Sequence, residues 1–389
     1  VNGAILSGDT LMLTGTGTFV KDSVKTDVLA LLSGARAVFA GDNSLTNLSM
    51  IGNASAVINA GATLRLAQDS VGEANSVITG AGTLALNKDG LTVNALLSNL
   101  GKLAVSQSAT LGNTAQVGTL DIANGTLTQN ADVTAGTVSF GSNGKLTVNG
   151  GKTLNITRSI TAGAGMLNGA GTINLSGGAN GSFATGDSFK NGHLIVGSGT
   201  ASFTGNTTMA SVDFTGDDGR LNIESGNTLT LAKIATKASN TVTGEGALRL
   251  SGTGSTFNAP IASLGEINIA GGSASFNKNA NVGKLSFNGG SATVGSGAVL
   301  SISKLEQSGG TLGTVSGGGV LKIKEGKLST GGNRIGAVHV GSETVSIADD
   351  SATGALVFED ENGTLNIEAG KTLTVSDTLN VTGNLTGDG

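Results

Sequence analysis

Aliphatic and polar residues alternate along most of this chain in short runs. TLRLA (63–67), KLTVN (145–149), RLNIE (220–224), TLTLA (228–232), ALRLS (247–251), VLKIK (320–324) and TLNIE (364–368) all place apolar residues at every second position. A period of two belongs to extended strands, whose successive side chains point to opposite sides. Leu221 and Ile223 are therefore predicted to face inward, with Arg220, Asn222 and Glu224 outward. Between the runs stand NGG (149–151), DDG (217–219), SGN (225–227) and AGK (369–371), turn sequences whose residues tolerate positive φ. No helical stripe at i, i+3 and i+4 extends over a useful length, so the chain is predicted to be all-β.

A longer rhythm overlies the strands. ASFTGNTTMASVDFTG (201–216) returns as ASFNKNANVGKLSFNG (274–289), with Phe203, Val212 and Phe214 matched by Phe276, Leu285 and Phe287. Extending this frame gives five copies anchored at Phe39/Met50, Leu111/Ile122, Phe203/Phe214, Phe276/Phe287 and Ile347/Phe358. The two anchors are always 11 residues apart, and first anchors follow one another at 72, 92, 73 and 71 residues. The long interval contains GTLDI (118–122) and GTVSF (136–140), a near-repeat 18 residues apart that reads as one whole extra coil. A fractional insertion would switch the faces of every later strand. The frames 28–100, 101–191, 192–264, 265–335 and 336–389 thus form one continuous array, each unit of about 73 residues holding three to four coils of roughly 18–22.

The expected fold is a parallel β-helix, or β-solenoid, of tandem coils. An antiparallel sandwich has a heavier core and no repeating strand order, and a propeller blade needs about 40–50 residues with its own closing signature. Here 65 glycines accompany only 11 phenylalanines, with no tryptophan or tyrosine, which suits a narrow interior of Val, Ile, Leu and Ala stacked from coil to coil. An apolar content of 38% in regular runs argues against disorder, and a single proline with no strict third-residue glycine excludes collagen. About 19 coils at roughly 4.8 Å would give an elongated rod on the order of 90 Å long.

The stretch GHLIVGSGTASFTGNTTMASVDFTGDDGRLNIESGNTLTLAK (192–233) carries the frame G-x-L-x-V, T-x-x-F, V-x-x-L-x-F-x-G, L-x-I and G-x-x-L-x-I in loose form. In this texture the chain resembles autotransporter passenger domains, most of all the rickettsial surface cell antigens and surface-layer protein. The resemblance implies export to the bacterial cell surface and a role in adhesion or in a surface layer, and it transfers no catalytic residue. No C-terminal barrel of aromatic-girdled strands is legible. The pattern runs unbroken into NVTGNLTGDG (380–389), so an excerpt of a longer array is expected.

Charge and chemistry narrow the function further. A formal net charge of −5 without a basic run does not suit nucleic acid. No apolar run reaches the roughly 18–20 residues of a membrane helix, and the absence of cysteine rules out disulfides and thiolate metal sites. His193 and His339 occupy nearly the same slot of their repeats and are expected to be solvent-facing strand residues. Acidic turns occur at Asp217 and Asp218, next to Arg220, and at Glu359, Asp360 and Glu361. Calcium-dependent polysaccharide lyases on β-helices use such groups, yet sugar clefts also use aromatic platforms that this composition lacks.

TGTGT (14–18) lacks the Lys-Ser/Thr and helix of a phosphate loop, and T-x-T pairs are not sustained in one register as an ice-binding face would need. No catalytic, cofactor-binding or metal residue is nominated. The expected function is an extracellular adhesin or surface-coat protein that meets host or self surface proteins and glycans. A self-assembling filament or surface-layer subunit is the alternative, and a polysaccharide-degrading enzyme the less favoured one.

Overall fold

Parallel pairing between strands roughly twenty residues apart organises the whole of residues 6–389, which the computed structural model describes. Every described strand pairing is parallel, and no helix occurs among the described residues. The chain divides into two compact units, Val1–His193 and Leu194–Gly389. Each is a three-sided β-solenoid, as the alternation predicts.

In the N-terminal unit one turn of the coil runs through Arg36–Phe39, Asn43–Leu45 and Asn47–Met50 before Ser55–Ile58 closes onto Arg36–Phe39. Coils of 18 to 22 residues follow. On the first face Ala37, Ala56, Ile78, Leu97, Ala115, Val133, Leu154 and Ile173 stack in one inward column. All eight are buried. Each such Val, Leu or Ile contributes roughly 1.5–3 kcal/mol by leaving water. Small and large residues alternate loosely down the column, so the narrow interior fills without aromatic bulk. Where phenylalanines do meet, their rings stack, as for Phe19 on Phe39 at 5.5 Å between centroids.

The C-terminal unit repeats the scheme with Arg220–Ile223, then residues 228–231 and 233–235 of Thr228–Ala235, as its three faces. Ala201, Leu221, Val242, Ile261, Ala280, Leu300, Leu321, Val338 and Leu356 form an inward column of buried residues. Leu221 and Ile223 lie inside and Arg220, Asn222 and Glu224 alternate away from them, as expected. The expected turns also hold their strained conformations. Gly226 has φ +78°, and Asp218 takes φ 63° without being glycine.

All ten repeat anchors are buried. They do not, however, stack on one another from repeat to repeat. Three coils carry the chain from Phe203 past Ile223 and Gly244 to Leu264, and two further strands, 266–269 and Ser273–Phe276, bring it to Phe276. Phe276 passes through Val294, Gly317 and Ile335, and then again through two strands, to Ile347. Phe39 reaches Leu111 by the same count. The repeat is therefore three coils and two thirds, and equivalent anchors sit on different faces because each coil has three strands. What lies against Phe276 is Phe257, a non-anchor residue, with the rings 5.1 Å apart and 8° from parallel. The near-repeats 118–122 and 136–140 are consecutive rungs of a single face: Thr119 pairs Thr137, Leu120 pairs Val138 and Ile122 pairs Phe140.

Candidate binding groove

The first and second faces of a coil are often joined by a single residue, so two strands run on as one, as in Leu96–Val105 and Ile261–Ile269. Glycine holds this corner at 101, 118 and 136 in the N-terminal unit and at 265 and 283 in the C-terminal unit. None of these five has positive φ. Their requirement is space. A Cβ on Gly101 would come within 2.1 Å of the Ala81 carbonyl oxygen, and one on Gly265 within 2.1 Å of that of Glu245. The motif is aliphatic-Gly-x-aliphatic, as in Leu100-Gly101-Lys102-Leu103 and Val282-Gly283-Lys284-Leu285, and it stands apart from the turn sequences named above.

Grooves follow these corners. In the N-terminal unit Asn99, Gly101, Gln116, Gly118, Thr134 and Gly136 line one, and Arg158 lies across it. The Arg158 guanidinium donates a hydrogen bond to the Gly118 carbonyl, two coils away, at 2.9 Å. It also stands over Gly136, where a Cβ would be 2.5 Å from Nη2.

The corresponding groove of the C-terminal unit has a volume of about 360 Å³. Residues 262–264, 281–283, 301–303 and 322–324 line it with Gly341 and Glu359, so it crosses six successive coils, about 24 Å at the usual strand spacing. Its polar side chains are Ser263, Asn281, Ser301, Ser303, Lys322, Lys324 and Glu359. Lys322 Nζ lies 2.5 Å from Glu359 Oε1, and His339 Nδ1 lies 2.9 Å from the same oxygen. The hydrogen bond from Lys322, and then that from His339, hold the Glu359 carboxyl below the usual carboxylate range. Among the described residues Lys324 has no ion-pair partner.

On the neighbouring face a separate charge ladder is self-satisfied. Lys284 bonds Glu266 at 3.0 Å and Glu306 at 3.4 Å, and Lys304 bonds Glu306 at 2.9 Å. Glu266 and then Glu306 raise the Lys284 ammonium, while the bond from Lys304 lowers Glu306.

The residues singled out in the sequence are thus sorted. His339 and Glu359 come together diagonally: His339 pairs Val357 on the next coil and Glu359 stands two residues beyond that partner, whereas Asp360 turns back to accept from the Asn362 N–H at 2.8 Å and Glu361 is exposed. Asp217 accepts from the Ser239 hydroxyl at 3.2 Å, Asp218 is exposed, and no ion pair joins either to Arg220. His193 is exposed at the start of its strand, while His339 is half-buried, so the two do not share an environment. Among the described residues no three His, Asp or Glu side chains converge as metal ligands. Single threonines, Thr92, Thr110, Thr128 and Thr147, form an outward column over four successive coils, but T-x-T pairs are not sustained there, since Thr126 pairs Lys145. Comparison with protein-family models, curated proteins and solved structures finds no match for this chain.

Proposed function

We infer that this chain is a surface-exposed β-helical passenger of an exported bacterial protein, and that it serves adhesion or surface coating without catalysis. One observation carries the reading. Nearly all aliphatic mass goes into the inward columns, and much of the outward surface consists of neutral hydroxyl and amide ladders beside a few ion-paired ones. Examples are Thr119 beside Thr137, Asn155 beside Asn174 and Ser275 beside Thr293. Stability in such a solenoid comes from neighbouring coils, so outward residues vary at little cost and a wide polar surface stays free for partners. Many copies on one cell then give avidity from weak single contacts.

The loose resemblance to autotransporter passengers points the same way. Antibody raised against the chain should label intact source cells, and a deletion strain should lose attachment to host cells or its surface coat. Labelling that requires permeabilised cells would sink the reading. Concentration-dependent sheets or fibres of purified protein would favour a surface-layer subunit over a discrete adhesin.

A further inference from the structure

We propose that the corner groove of the C-terminal unit binds acidic oligosaccharides, through Lys322 and Lys324. This deepens the surface-scaffold reading and rests on it for its biological setting, though the binding itself is a property of the purified chain.

The argument begins with charge. In a chain of net charge −5, the groove gathers two ammonium groups against one carboxylate. Glu359 is shared by Lys322 and His339, which leaves Lys324 exposed and without an ion pair among the described residues. The acids of the adjacent face, Glu266, Glu306 and Glu325, are each within 4.0 Å of Lys284 or Lys304. Lys322 and Lys324 stand at alternate positions where the strand enters the corner, about 6.6 Å apart along the backbone. Two anionic groups on a chain molecule can meet them together.

The form of the groove selects the kind of anion. It is open, and it crosses six coils rather than converging on one point. Asn281, Ser301 and Ser303 set amide and hydroxyl groups beside the two lysines, suited to the hydroxyls of a sugar. No aromatic residue lines it, so a neutral sugar would lack a stacking platform. Affinity must therefore come from carboxylate or sulfate. Two cations are too few to hold a phosphodiester backbone at physiological salt. The groove of the N-terminal unit differs, because Arg158, bonded to the Gly118 carbonyl, is the one cation in its lining and has no exposed companion such as Lys324.

Calorimetric titration of the purified chain with hexagalacturonate, a heparin-derived hexasaccharide and neutral maltohexaose tests the proposal. Binding of either acidic ligand but not of maltohexaose is expected, and the ligand that binds distinguishes carboxylate from sulfate as its source. The double variant Lys322→Gln/Lys324→Gln should lose at least tenfold in affinity, and Glu359→Gln should gain. Lys233→Gln/Lys371→Gln, with the same change of net charge outside the groove, should bind as the wild type does. No binding of either acidic ligand, or an equal loss in both double variants, overturns the proposal. Either result leaves the surface location standing, since cell labelling decides that independently.

Discussion

The two glycine-floored grooves, one in each unit, share a backbone and differ in what lies over it. In the N-terminal unit Arg158 reaches back two coils and holds a carbonyl at 2.9 Å, so the cation acts as a clasp between rungs. In the C-terminal unit the corner that begins at Gly265 and Gly283 changes to Ser303 and then Lys324; Lys322 is tied to Glu359 two coils on, while Lys324 lines the groove as an exposed side chain. The floor is therefore the structural element and the covering residue the variable one. A solenoid can alter that residue freely, because an outward corner residue touches only the adjacent rungs.

The largest effect should come from disturbing the shared floor. Gly101→Ala and Gly265→Ala each drive a Cβ into a backbone carbonyl that cannot swing aside. Each should cost about 1–3 kcal/mol by overpacking, read as a lower denaturation midpoint. If one unit tolerates its alanine and the other does not, the floors are not equivalent. Next comes the clasp. Arg158→Ala should destabilise by about 1 kcal/mol, below the usual range for a charged donor because the contact is exposed.

Lys322→Gln/Lys324→Gln should leave stability within about 0.5 kcal/mol of wild type, as surface changes do. A loss as large as that of Arg158→Ala would make the exposed Lys322–Glu359 pair a clasp of equal weight and erase the contrast. The smallest effect is that of pH. Glu359 has a depressed carboxyl in the folded chain, so its small contribution is complete above the unfolded value of about 4.3 and fades as pH falls through the lower folded value. Carboxyl NMR should place its midpoint below 4.3, and Lys322→Gln should raise it.

Which residues lie inside was legible from alternation, since Leu221 and Ile223 have no other face to choose. Which residues lie above one another was not. Stacking depends on coil length, and that ranges from 17 residues between Leu321 and Val338 to 23 between Ala292 and Val315. A difference of a few turn residues moves every later rung along the sequence, so a fixed period follows only short columns such as Thr92, Thr110, Thr128 and Thr147. The anchors misled for a related reason. Burial preserves the apolar character of Phe203 and Phe276 wherever they fall, so their likeness records a common interior and not a common wall. The His339–Glu359 contact lay out of reach of a fixed period, since the coil there carries His339 onto Val357 and the carboxylate stands two residues beyond. The corner glycines were hidden too, because nothing in the sequence marks Gly101 until the carbonyl of the rung below is in place.

Two thirds of a turn left over per duplication has a consequence for how such a molecule diversifies. Tandem copying does not lay down a stripe of identical features along one side. It deals each new copy to the next wall of the prism, and only every third returns to the first. A useful surface feature that arises in one copy is thus shown to the surroundings in three directions before it is repeated in any.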